Sequence, residues 1–136
     1  MKTMTQVSVF LENKIGTLAS ACKALAEANV SLVALSIAGA QDFGIARFIT
    51  DDPAKAQEAL RKAKFVAQAT PVVALAVPDV PGGMAQVVTT LSERGCGIEY
   101  SYAFAGKDGN AVLVFKFDDL EKALEVIAAA GYETIG

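Results

Sequence analysis

An α+β fold made of two βαββαβ units in tandem is predicted by three observations. The chain repeats itself, each copy mixes short strand-like apolar segments with helical ones, and turn residues fall at matching places in both copies. Val7-Ser8-Val9-Phe10-Leu11, followed by Glu12-Asn13-Lys14-Ile15-Gly16, is answered by Val73-Ala74-Leu75-Ala76-Val77, followed by Pro78-Asp79-Val80-Pro81-Gly82. Gly16 and Gly82 share a spacing of about 66 residues with Leu25 and Leu91 and with Leu32 and Ile98. Asp52 and Asp119 are one residue further apart, which places an extra residue in the turn Gly106-Lys107-Asp108-Gly109-Asn110, where insertions are tolerated. The copies are assigned to residues 1–70 and 71–136, with Thr70-Pro71 as the only punctuation between them.

Each copy opens with a strand, 6–11 or 72–77. A helix follows over about 15–28, with Leu18, Cys22 and Leu25 on its inward stripe; its partner covers 82–94 and turns Met84, Val87, Val88 and Leu91 inward. Asn29 and Gly95 suit the left-handed position just past each helix. A second strand, 32–37 or 98–104, and a third, 45–50 or 111–117, form a hairpin around a Gly-rich turn. The second helices start at Asp52-Pro53 and at Asp118-Asp119, where Asp118 and Glu121 have capping-box spacing. Short fourth strands, 65–69 and 132–135, close the copies. This order is the ferredoxin-like unit, two helices on one face of a four-stranded antiparallel sheet.

Ala111-Val112-Leu113-Val114-Phe115 is apolar at every position and so demands cover on both faces. A unit of about 60 residues also buries only about 60% of its unfolded surface. The sequence therefore predicts that the two antiparallel sheets pack together and that the chain forms a homodimer. Ile98, Tyr100, Tyr102 and Phe104 are expected to line one strand face at period two, as core or interface filler rather than an aromatic cage.

Composition narrows the function. Hydrophobic residues make up 53% and charged residues 20%, enough for a core, and the net charge of −3 disfavours nucleic acid as a partner. The densest basic run, Arg61-Lys62 with Lys64, sits at a helix end, where the dipole favours cations. No apolar leader follows Met-Lys-Thr-Met-Thr-Gln and no run approaches the ~18 apolar residues of a membrane span. Cys22 and Cys96 lie far apart, as expected of small core thiols in a cytoplasmic protein. The chain has no histidine, which removes Cys/His metal sites and the commonest acid–base group; no cofactor motif is present. Asp51-Asp52 and Asp118-Asp119 read as helix caps rather than catalytic pairs.

One segment carries possible chemistry. Asp79-Val80-Pro81-Gly82-Gly83 joins a strand to a helix N-terminus, where unpaired N–H groups and the dipole favour an anion and the glycines admit a ligand to the backbone. Asp79 offers a carboxylate for an ammonium group. Asn13-Lys14-Ile15-Gly16-Thr17 keeps the arrangement with a neutral Asn13. The alternative is a tight turn capped by its own Asp or Asn.

The segment Asp79-Val80-Pro81-Gly82-Gly83-Met84, with the βαββαβ order and the tandem copy, resembles the D-x-P-G loop of the ACT domain family. The resemblance spans essentially the whole chain; the first copy departs from it, with Asn13 for the aspartate and Ile15 for the proline. It implies a non-catalytic regulatory protein that binds a free amino acid where one module's first loop faces its neighbour's second strand, acting on a metabolic enzyme partner or through assembly. The residues it implicates are Asn13, Lys14, Ile15, Gly16 and Thr17; Asp79, Val80, Pro81, Gly82, Gly83 and Met84; and Ser31, Leu32, Ile98 and Glu99 at the second-strand starts. With no arginine and only Lys14 as a cation in the loops, a neutral ligand side chain is expected. Two alternatives stay open: an interaction module without a small-molecule ligand, and a small enzyme on a ferredoxin-like scaffold.

Overall fold

The computed structural model describes residues 2–136. The chain divides into two compact units, Thr5–Thr70, and Pro71–Gly136 together with the residues up to Met4. The elements are β1 (Met4–Glu12), α1 (Thr17–Glu27), β2 (Leu32–Gly39), β3 (Phe43–Thr50), α2 (Pro53–Lys62), β4 (Val66–Pro78), α3 (Gly83–Glu93), β5 (Ile98–Ala105), β6 (Asn110–Phe117), α4 (Leu120–Ala129) and β7 (Thr134–Ile135).

The first unit orders its strands β2-β3-β1-β4 and the second β7-β4-β6-β5. These are the same order, second-third-first-fourth strand of a copy, read from opposite ends. In the first, Val9 pairs with Ala46 and Ile37 with Ala46, all antiparallel; in the second, Leu75 pairs with Leu113 and Ala103 with Leu113. β4 runs through Thr70-Pro71, the point at which the chain divides between the two units. The ladder with β6 begins at Val73, so the missing N–H of Pro71 falls outside it.

Each unit has its own core. In the first, Val7, Val9, Leu11, Ala46 and Phe48 of the sheet meet Ala21, Leu25, Ala56 and Leu60 of the helices. In the second, Val73, Leu75, Leu113, Phe115 and Phe117 meet Val87, Leu91, Ala123 and Ile127. Leu18 and Val88 pack on their cores as expected, and each helix stripe differs from expectation at one residue. Ala21 and Leu25 are the buried residues of α1, and Cys22 is only half-buried. Gly83, Val87 and Leu91 are buried in α3, whereas Met84 is 47% exposed. In each helix a small residue takes the inward position next to the one expected, while the larger apolar residues of the stripe keep theirs.

All four helices end alike. The N–H groups of Asn29 and Val30 donate to the carbonyls of Ala26 and Leu25, and the pairs Lys64/Phe65, Gly95/Cys96 and Gly131/Tyr132 repeat the pattern on Arg61/Leu60, Ser92/Leu91 and Ala128/Ile127. The first residue of each pair has positive φ, the geometry of the Schellman motif. At the N-termini, Asp52 caps α2 through the N–H of Lys55. The expected Asp118–Glu121 box does not form. The N–H of Asp118 donates to Gly97 O, which holds that residue at the strand exit, and Asp119 caps α4 through the N–H of Lys122.

β5 also departs from the sequence expectation. Its register shifts between Ile98 and Tyr100, so Ile98 pairs with Phe117 and packs in the core while Tyr100, Tyr102 and Phe104 oppose Lys116, Val114 and Val112 on the other face. A one-residue bulge moves a side chain across the sheet, so the four residues do not form one line. Val112, Leu113, Val114 and Phe115 are all buried, as an unbroken apolar strand requires. On the helix-free face of the first sheet, Phe10 and Phe43 stack with centroids 5.0 Å apart and stay half-exposed.

Gly131 has φ +82 with open space where a Cβ would go. Gly131→Ala should therefore lose about 1 kcal/mol from backbone strain alone, and Lys64→Gly, at φ 73, should gain up to a similar amount. Urea titration of the two variants checks the opposite signs.

Candidate functional site

The turns from β1 into α1 and from β4 into α3 are built on the same main-chain bonds. The N–H of Asn13 donates to Asp42 O at 2.8 Å, and that of Asp79 to Gly109 O at 2.9 Å, so each turn hooks onto its own unit's hairpin. Thr17 N–H then reaches Lys14 O at 3.3 Å, and Gly83 N–H reaches Val80 O at 3.0 Å. Gly16 (φ 94) and Gly82 (φ 87) occupy the left-handed region at the helix N-caps. The two glycines of the second turn differ in purpose. Gly82 has open space around it, but a Cβ on Gly83 would run into Pro78 O, so Gly83 serves packing rather than ligand approach.

The side chains diverge. The Asn13 carboxamide donates to Ala40 O (3.1 Å) and Gln41 O (3.2 Å). The Asp79 carboxylate accepts no hydrogen bond from the described residues. Neither residue caps the helix that follows. α1 and α3 have no side-chain cap, whereas α2 and α4 are capped by aspartates. The self-capped turn set out as an alternative is thus not what forms. One donor of each bare terminus, Thr17 or Gly83 N–H, is consumed within the turn; the other first-turn amides have no preceding helical carbonyl to meet.

Around these amides stand exposed apolar side chains: Ile15 is fully exposed, Val80 59% and Met84 47%. Lys14 Nζ lies 3.0 Å from Glu12 Oε2, an exposed pair worth little to stability. The Thr17 hydroxyl is buried without a hydrogen-bond partner.

Ser31, Leu32, Ile98 and Glu99 lie elsewhere in their units. β1 and β2 are both antiparallel to β3 and so run parallel to each other. The loop after β1 therefore adjoins the end of β2, and Ser31-Leu32 sits at the start, roughly 25 Å away along eight residues. The Ser31 N–H is taken by the Asp51 carboxylate at 3.0 Å. Leu32 is 38% exposed. Ile98 is part of the second core, and Glu99 pairs loosely with Lys116 at 3.6 Å.

The first loop does border a cleft of about 170 Å³, lined by Leu11, Glu12, Asn13, Lys14, Leu18, Ile37, Gly39 and Gly44. Sequence reasoning missed all of these except Asn13 and Lys14. Their signal was present only as two glycines flanking a hairpin turn, which read as turn formers. Among the described residues no cluster of His, Cys, Asp or Glu suits a metal ion. Burial pushes the Cys96 thiol up, away from the thiolate a nucleophile needs. Among the described residues no helix is long and apolar enough to cross a membrane.

A family model described as an ACT domain pair matches residues 2–135. The chain is similar to the crystal structure of protein BT0572 from Bacteroides thetaiotaomicron, with 40% identity and a TM-score of 0.92, over 98% of this chain and 92% of that one. It shares its fold with the regulatory subunit of aspartate kinase from Thermus thermophilus in its ligand-free form, at 18% identity and a TM-score of 0.64, over 93% and 92% of the two chains. Aspartate kinase from Clostridium acetobutylicum matches at 17% identity and a TM-score of 0.58, over 95% of this chain and 33% of that one. No curated protein matches.

Asn13→Ala should cost about 0.5–1 kcal/mol through its two lost hydrogen bonds and speed hydrogen exchange at Ala40, whose N–H donates to Phe43 O across the hairpin turn. Asp79→Ala should change stability by less than about 0.5 kcal/mol. Equal effects of the two would contradict the different bonding of the turns.

Proposed function

The chain belongs to the ACT domain pair family, and from that premise we propose that it is a regulatory protein that binds a free amino acid at its β1–α1 and β4–α3 turns without catalysing a reaction. The observation that carries this reading is the contrast among the helix caps. Two helices carry an aspartate cap; the two that follow the loops carry a bare left-handed glycine. An uncapped N-terminus facing open space suits a carboxylate, which accepts from several N–H groups and meets the positive end of the helix dipole. Asp79, or Glu12 in the first copy, supplies the opposite charge for an ammonium group. Apolar Ile15, Val80 and Met84 flank the amides, and Lys14 is the only cation in either loop, so a ligand with a second anionic group is disfavoured.

In this reading residues 1–70 and 71–136 are the two modules, and the signal passes to a metabolic enzyme partner or through assembly as a homodimer in the cytoplasm. A second reading, an interaction module without a small-molecule ligand, is favoured by the half-exposed Phe10, Phe43 and Ile45 on the helix-free face of the first sheet.

A thermal-shift screen of the twenty amino acids separates the two. A ligand at ~100 times its Kd stabilises by about 2.7 kcal/mol, a shift of several degrees. The double variant Gly16→Val/Gly82→Val should lose the shift. Gly131→Val, strained in the same way but remote from the loops, should melt lower and keep it. A flat profile for the unaltered chain would favour the interaction module.

A further inference from the structure

The geometry points to the cleft beneath the first loop as the seat of an aliphatic side chain, so that the ligand is an amino acid with an apolar side chain of at most about six heavy atoms. This rests on the amino-acid-binding reading and narrows it to one copy and one ligand class.

The floor of the cleft is apolar, made by Leu11, Leu18 and Ile37 with Gly39 and Gly44; its rim holds Glu12, Asn13 and Lys14. Gly44 is explained by the hairpin, because a Cβ there would sit 3.1 Å from Ala38 O. Gly39 has no such explanation. Its φ lies outside the left-handed region, and a Cβ would meet nothing within 4 Å. Side chains alternate along a strand, so Gly39 faces the same side as Ile37. The space that Gly39 spares is therefore the cleft itself. At about 170 Å³, that space is comparable to the ~150 Å³ apolar cavity that holds benzene.

The rim suits the other end of the ligand. Lys14, held 3.0 Å from Glu12, meets a carboxylate; the Glu12 carboxylate and the Asn13 carboxamide oxygen meet an ammonium group. The Asn13 amide nitrogen is already committed to the hairpin, which turns its donor side away from the ligand. The second copy lacks this combination. Pro78 and Val80 stand where the first copy has Glu12 and Lys14, while Ala103 and Ala105 replace Ile37 and Gly39. It has neither the paired charges nor the deep apolar wall.

The test is calorimetric titration of the full chain with alanine, 2-aminobutyrate, norvaline and leucine, and with aspartate and lysine. Affinity should rise about fourfold with each methylene until the cleft is full, leaving aspartate and lysine at least about tenfold weaker than leucine. Gly39→Val, a residue well suited to a strand, should fill the cleft and remove leucine binding with the circular dichroism spectrum unchanged; Ala105→Val, its counterpart in the second copy, should bind leucine as the unaltered chain does. Binding with no gain along the aliphatic series, or unchanged leucine affinity in Gly39→Val, would overturn the cleft assignment and leave the amino-acid sensor standing. Absence of binding by any of the twenty amino acids would overturn both.

Discussion

The turn into α1, and its copy into α3, passes through a glycine at positive φ that no side chain supports. The rest of each unit follows from that turn. Its amide hook on the hairpin, Asn13 to Asp42 or Asp79 to Gly109, fixes where the first strand ends. The left-handed residue then swings the chain back over the sheet, so that Leu25 or Leu91 reaches the core. A residue with a Cβ would pay about 1–2 kcal/mol to hold that conformation. The same glycine leaves the helix N-terminus without the Ser or Asp that usually satisfies it. One local constraint thus sets the packing and leaves the amides open.

The repeat preserves main-chain bonds more faithfully than side chains. Asp51 N–H donates to Ser31 O, and Asp118 N–H donates to Gly97 O, at matched positions. In the first copy the aspartate side chain also takes the Ser31 amide; in the second the carboxylate packs where a Cβ on residue 97 would go, which explains Gly97. Likewise both loops keep their backbone hooks while Asn13 binds the hairpin and Asp79 does not. Backbone bonds hold the fold whatever the side chains are, so side chains at the loops are free to diverge between copies.

Charge and burial show the same division. The second unit buries its central strand on both faces, with Val114 as inaccessible as Phe115. The first keeps Phe10, Phe43 and Ile45 partly in water. The rim charges Glu12 and Lys14 likewise belong to the first copy alone. Two copies with one backbone therefore present different surfaces and differently charged loops.

Much of what local geometry sets was legible in the sequence, although the α4 cap fell on Asp119 rather than Asp118. The element order follows from period and turn residues. Asn29 and Gly95 marked left-handed helix ends because few residues tolerate that conformation, whereas Gly16 and Gly82, expected inside the helices, turn out to be their left-handed N-caps. Three features depended on tertiary structure. The bulge that sends Ile98 to the core and Tyr100 to the other face depends on pairing with β6. The distance from the loops to Ser31 and Ile98 depends on which strands run parallel within a sheet. The cleft depends on Leu11, Leu18, Ile37 and Gly39 meeting from three separate elements. Periodicity records which residues a segment presents, but a pocket is made by what faces them across the fold, and no single segment carries that information.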